Sequence, residues 1–345
     1  MPAADPDLAL RLAKAVADLY GDAANRMLAI VARRLAAGID QPGWAERKLA
    51  EIVQLRNDAN QIVGTLERVG TRAIYDAIAE AYNTGSRDAA VELGVTFGRT
   101  NQRAVDALAQ ATIGQVTATH SQILRSANDI YRTVVAETAA PPVLTGTATR
   151  RQAAQAALDR WRNIGLTGFR DRAGRNWALE TYAEMATRTA AGRAQVDGHL
   201  DRYVADGRDL VIVSDAPQEC SKCRPWEGKV LSISGATPGY PTVAEARSDG
   251  LQHANCRHNL GAYIEGLTRP MTHTADPEGD RARQEQRRLE RGVRQWKTAE
   301  ALAITPDAQR QAKAKVREWQ AKLREHVEAN DLKRLRYREQ VGAGR

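Results

Sequence analysis

The strongest constraint on this fold is where the sulfur sits. All three cysteines of the 345-residue chain fall between Cys220 and Cys256. The stretch opens Glu219-Cys220-Ser221-Lys222-Cys223 and closes His253-Ala254-Asn255-Cys256-Arg257-His258. C-x2-C followed by H-x2-C supplies three thiolates and an imidazole, a full ligand set for tetrahedral zinc. A two-residue spacer lets both members of each pair reach one ion. Cys220, Cys223, His253 and Cys256 are therefore the expected ligands. Four protein ligands leave no position for water, so the expected zinc is structural. His258 stands close enough to replace His253, and the spacing leaves that choice open. The competing readings are three ordinary small core residues, or a Cys220–Cys223 disulfide that strands Cys256 and gives His253 no role.

Composition narrows the rest. Aromatic residues make up 5% of the chain, with Phe97 and Phe169 the only phenylalanines, while alanine is abundant. That balance favours helices packed on small residues over a β-sandwich. The expected fold is mainly α, with a small α+β zinc-stabilised domain, an elongated helical N-terminal region and a basic helical C-terminal tail. The first residues carry no basic region followed by an apolar run, and no stretch approaches eighteen apolar residues, so neither a signal peptide nor a membrane span is expected. A reducing cytoplasm suits thiolate–zinc chemistry better than disulfides. The net charge of +8 is uneven, because residues 281–345 hold 18 basic against 9 acidic side chains. A nucleic acid or an acidic protein surface is the natural partner for such a segment, and a solvated basic helix is the plainer alternative.

Along the chain, Asp5-Pro6-Asp7 reads as a helix start, and Leu8, Leu12, Leu19, Ala23, Met27, Ile30 and Val31 recur at helical spacing until Gly38 to Gly43. Further helical patterns cover Trp44 to Leu66, Ala73 to Tyr82, about 86–94 and about 101–135, giving a helical domain over 1–137 whose helices pack on each other or dock on a partner. Residues 138–149, with Pro141, Pro142 and Gly146, read as a linker. A helix follows over about 150–163, then a turn at Asp171 to Gly174, and Asn176 is placed to cap a helix running to His199. Arg175, Glu180, Arg188 and Thr189 form neither an acid–base pair nor a glycine cradle, so they read as structural. Leu210 to Ser214, Gly228 to Ser234 and Leu260 to Ile264 read as strands, and Pro241 to Arg247 as a short helix. Trp226 is expected over the metal or the sheet edge. An α+β domain over 150–265 is thus expected, followed over 266–345 by a linker and the basic tail. Its charged helices, 280–300 and 306–339, are broken at Leu302 to Pro306. The narrow stripe of Val316, Trp319, Leu323, His326 and Val327 suits a helix that docks on a partner or folds when bound.

Three blocks then stand in order: Gly174-Arg175-x-Trp177-x-Leu179-x-x-Tyr182-Ala183-x-Met185-x-x-Arg188-Thr189, Ser214-Asp215-x4-Cys220-x-x-Cys223-x-x-Trp226-x-Gly228, and His253-x-x-Cys256-Arg257-His258. Together they resemble the phage minor capsid protein 2 family, related to the MuF-like head-morphogenesis proteins of tailed phages. The specific motifs cover about 150–265. One departure is Ala254, where proline is expected. The resemblance implies a virion structural protein at the portal vertex inside the capsid, assembled in the host cytoplasm, with no reaction of its own. It implies portal, capsid and scaffold proteins as partners, and a part in the fate of packaged DNA, which the basic tail would contact. No membrane and no small-molecule substrate are implied.

The rival of a different class is an HNH-like zinc-containing DNA nuclease, since His253, Asn255 and His258 spell H-x-N-x-x-H. That reading spends His253 on catalysis and packs into six residues what such sites spread over a strand and a helix. A zinc deaminase lacks the required H-x-E before the C-x2-C pair.

Overall fold

Alanine-rich amphipathic sequence makes helices, and 70% of the residues that this computed structural model describes are helical. The structure describes residues 7–98, 100–138, 148–164, 169–171, 174–216, 221–254, 256–269 and 276–341. The expected cap at Asp5-Pro6 and most of the 138–149 linker lie outside these residues. The helices are α1 (Leu8–Ala36), α2 (Trp44–Ala50), α3 (Ile52–Thr65), α4 (Thr71–Leu93), α5 (Gln102–Thr117), α6 (His120–Thr138), α7 (Arg150–Ile164), α8 (Leu179–Ala205), α9 (Val243–Ser248), α10 (Pro277–Ala301) and α11 (Pro306–Ala329). A two-residue hairpin, β1 (Phe169–Arg170) with β2 (Asn176–Trp177), precedes α8. Asn176 therefore pairs with Arg170 in a strand and does not cap the helix. The turn between them is held by Asp171, whose carboxylate accepts from Trp177 Nε1 at 2.9 Å and Arg175 Nε at 2.7 Å.

Contacts group the chain into two units, each built from three separate stretches. The first comprises Met1–Val16, Thr71–Val116 and Ala183–Arg281, and holds a three-stranded antiparallel sheet in the order β4 (Val230–Ser232), β3 (Leu210–Val213), β5 (Leu260–Ala262). Leu231 stands opposite Val211, and Ala262 and Leu260 stand opposite Val211 and Val213. These residues share one buried face with Val196, Leu200 and Tyr203 of α8 and with Val243 and Ala246 of α9. The central strand is thus buried on alternate residues, as an antiparallel sheet with one covered face requires. Asp209 fixes the loop after β4 by accepting from Ser232 Oγ, Ser234 N, Ser234 Oγ and Thr237 Oγ1 at 2.6–2.8 Å. A capping box starts α9, with Thr242 Oγ1 accepting from Glu245 N and Glu245 Oε2 accepting from Thr242 N.

Asn83-Thr84-Gly85 separates two helical patterns in the sequence, yet α4 runs straight through it. Gly85 is there for packing. A Cβ on it would lie 1.9 Å from the Gln195 carbonyl oxygen, and a Cβ on Gly198 would lie 2.2 Å from that of Tyr82. The two helices touch backbone to backbone, and the Tyr82 hydroxyl donates to Asp201 beside the crossing.

The second unit comprises Ala17–Gly70, Thr117–Tyr182 and Ala282–Arg345. Its core joins Val31, Leu35 and Ile39 to Trp44, Leu55, Tyr131, Val134, Leu158 and Leu302. One helical pattern, Trp44 to Leu66, is broken at Glu51, whose carboxylate accepts from Lys48 Nζ at 2.9 Å and the Tyr131 hydroxyl at 3.0 Å. The basic helices pack on one another within the chain. Trp319 of α11 seats against Gly292 of α10, where a Cβ would lie 2.0 Å from the ring. His326 Nε2 lies 2.7 Å from the Ala282 carbonyl. The segment after α11 returns to this hairpin through Arg338–Glu290 at 3.7 Å and carries an Arg334–Glu339 pair at 2.6 Å, and both acids are buried.

His120 is also buried in this unit. Its Nε2 lies 3.0 Å from the Tyr20 hydroxyl, and its Nδ1 lies 3.7 Å from Glu67 Oε1. Burial holds the imidazole below its ordinary 6.5, and Glu67 offsets this only in part. Below pH 6.5 the unfolded chain therefore binds the proton more readily than the folded one, and stability falls as pH drops. In urea denaturation, the wild-type chain is expected to lose stability between pH 7 and pH 5 more steeply than His120→Gln; parallel curves would contradict it. The glycine crossing gives a second expectation. Gly198→Ala should cost about 1–3 kcal/mol by overpacking. Gly114→Ala, on α5 with nothing within 4 Å of the added carbon, should gain about 0.5–1 kcal/mol.

Candidate metal centre

The end of the sheet brings the thiols together. β3 and β5 are antiparallel, so the chain leaving β3 and the chain entering β5 lie side by side. Their pairing extends past the strands: Ser214 N donates to Asn259 O at 2.9 Å, and Asn259 N donates to Ser214 Oγ at 3.0 Å. Beyond β3, Cys223 precedes a 3-10 turn over Arg224–Trp226 whose Pro225 presets the first bend. Before β5 come Cys256 and His258, with Cys256 N bonded to His253 O at 3.0 Å. The loop after α9 covers Cys223. Gly250, at φ 110°, turns its carbonyl to 3.9 Å from Cys223 Sγ, while Asp249 accepts from Trp226 Nε1 at 3.1 Å.

Cys223, Cys256 and His258 place their ligand atoms within 4.8 Å of one another. The two sulfurs are 3.6 Å apart and not bonded. His258 Nδ1 lies 3.4 Å from Cys256 Sγ, and its Nε2 lies 2.7 Å from Glu227 Oε1. Glu227 Oε1 also accepts from Ala216 N at 3.1 Å, and Oε2 is buried without a hydrogen-bond partner among the described residues. Both Glu227 and His258 side chains are 2% exposed.

The sequence-derived set divides accordingly. Cys223 and Cys256 meet, and the imidazole that joins them is that of His258. His253 is half-buried outside the three, with Nδ1 at 2.8 Å from the Ala254 carbonyl. Cys220 lies outside the described residues. Trp226 packs in the same core as Cys223 and Leu231. Sequence reasoning missed Glu227, which falls at an unspecified position between Trp226 and Gly228 of the second block.

The donor chemistry fits a soft dication. Two thiols, one imidazole and one carboxylate are enclosed together, and with the thiols ionised the site holds three anions around one base. Such a set is stable only with compensating positive charge. The Cys256 thiol is already pulled well below the ordinary thiol range, first by the Cys223 S–H and then by His258. Burial would push His258 down, but Cys256 and Glu227 outweigh it and raise it. With a proton on Nε2 held by Glu227, the Nδ1 lone pair faces the sulfurs, the arrangement by which a carboxylate orients a ligating histidine.

Among protein families, Phage minor capsid protein 2 matches residues 5–328. The chain belongs to that family. No curated protein and no solved structure matches it. The match places this minor capsid protein among the structural components of phage heads, and it extends well beyond the motif-bearing middle of the chain into α1 and α11. No helix among the described residues is long and apolar enough to cross a membrane.

For this minor capsid protein, cobalt titration of metal-stripped chain is expected to show thiolate-to-metal absorption. Cys256→Ser and His258→Ala should abolish it, His253→Ala should retain it, and Glu227→Gln should weaken binding by roughly 10–100-fold. Loss in His253→Ala with retention in His258→Ala would reverse the assignment.

Proposed function

We propose that this minor capsid protein is a non-catalytic component of a tailed-phage head, seated at the portal vertex and in contact with the packaged DNA. The observation that carries the reading is the family match over residues 5–328. The centre supports a structural role. Zinc would be held by Cys223, Cys256 and His258, with Cys220 as the thiolate that completes the shell and Glu227 orienting His258. Bound there, the ion ties the loop after β3 to the loop before β5 and closes the end of the sheet. A shell filled by protein side chains offers no position for water or substrate.

The nuclease alternative finds less support. It needs His258 for chemistry, and both ring nitrogens of His258 already have partners within the cluster. Asn255, its third member, lies outside the described residues.

The test is crosslinking mass spectrometry on assembled heads, with metal analysis and a plasmid-nicking assay on the purified chain. Crosslinks to the portal protein, one zinc per chain and no nicking are expected. Absence from heads, or metal-dependent nicking lost in His258→Ala with zinc retained, would overturn the reading.

A further inference from the structure

Helix α11 carries an arrangement that folding alone does not explain. Arg310, Lys313 and Arg317 follow one another at three- and four-residue spacing, and Arg324 lies two turns on. At 3.6 residues per turn the four fall within an arc of about 60° along roughly 21 Å of helix. All four are exposed. The buried seam of Ala312, Val316 and Leu323 lies roughly 110° round the helix, so the stripe takes no part in packing. Like charges at this spacing repel, and a helix evolved only for stability would alternate them.

The acids nearby are committed elsewhere or answer only half of the stripe. Arg310 is paired with Asp307, and Lys313 reaches Glu300 at 3.9 Å. No acid stands three or four residues from Arg317. Neither Arg317 nor Arg324 has a carboxylate within 4.0 Å among the described residues; Glu328, one turn beyond Arg324, makes no such pair. On another flank Glu318 is held between Lys315 at 2.7 Å and Lys322 at 2.8 Å. Glu290 and Glu339 are buried in pairs with Arg338 and Arg334. Internal pairing thus consumes acids on the other flanks and leaves Arg317 and Arg324 exposed with no carboxylate against them among the described residues.

We propose that the α11 face formed by Arg310, Lys313, Arg317 and Arg324 is a docking surface for the phosphate backbone of double-stranded DNA. Its roughly 21 Å matches about six base-pair steps of the duplex axis, at about 3.4 Å of rise each. Arginine predominates, as suits planar, bidentate capture of phosphate. A straight row of long cations with no shaped pocket reads charge and not bases, so binding is independent of sequence. That is what a protein beside a genome of arbitrary sequence requires. The proposal rests on the reading of the chain as a head component next to packaged DNA.

The test uses the full chain and a short duplex of arbitrary sequence in fluorescence anisotropy between about 50 and 200 mM salt. Log affinity is expected to fall linearly with log salt. Arg317→Glu with Arg324→Glu should reduce that slope by about 1.8, at about 0.9 per phosphate contact. Lys315→Glu with Lys322→Glu, on the Glu318 flank, should change it less. Circular dichroism confirms that each variant is folded, and Arg317→Gln with Arg324→Gln gives a neutral counterpart expected to lose the same slope. An unchanged slope in the arginine variants, equal losses from both flanks, or preference for a polyglutamate over the duplex would overturn the proposal, the last pointing to an acidic protein partner. Counting the chain in assembled heads separates the two readings. Arginine variants that enter heads normally yet lose DNA binding support both, whereas a wild-type chain missing from heads sinks the head assignment whatever the anisotropy shows.

Discussion

Glu227 and His258 meet 2.7 Å apart in the interior, and neither could be there alone. A buried carboxylate without a partner costs several kcal/mol, and a buried imidazole needs its ring nitrogens satisfied. Their contact fixes which nitrogen of His258 faces Cys223 and Cys256, and it ties the turn after Cys223 to the strand entrance after Cys256. The sheet is small, with three or four residues to a strand, and has little apolar area to hold its own end closed. The polar knot at that end therefore carries a share of the fold that packing supplies in a larger sheet.

Much of this domain was legible in the sequence because its signals are local. The run Leu210 to Val213, the strands around Val230 and Leu260 and the short helix capped at Thr242 all stand where pattern and turn chemistry place them. The meeting of Cys223 with Cys256 was suggested in another way, by two ligand-spaced pairs standing far apart in the chain. The choice between His253 and His258 was not. It depends on the way the backbone turns between Cys256 and Leu260, and on a carboxylate that no spacing rule connects to either histidine.

The helices teach the converse. Gly85 looks like punctuation when read along the chain, because glycine most often ends a helix. In three dimensions it is an allowance for the backbone of α8, and α4 continues past it. Gly292 has the same relation to Trp319. A glycine that breaks an element and one that admits a neighbour are identical to any local rule, and only the partner tells them apart. The hairpin before α8 escaped notice for a different reason: two-residue strands carry no periodicity to detect.

The interleaving of the two units bears on how the chain is made. Val31 and Leu302 belong to one core, separated by more than three-quarters of the sequence. During synthesis the apolar faces of α1, α2 and α3 leave the ribosome long before Leu302, just past α10, exists to help cover them. Closing such distant contacts is slow and exposes sticky surface in the meantime. A head protein built this way matures after translation rather than during it, and the interval between release and closure is when it is most open to capture by chaperones or by its own assembly partners.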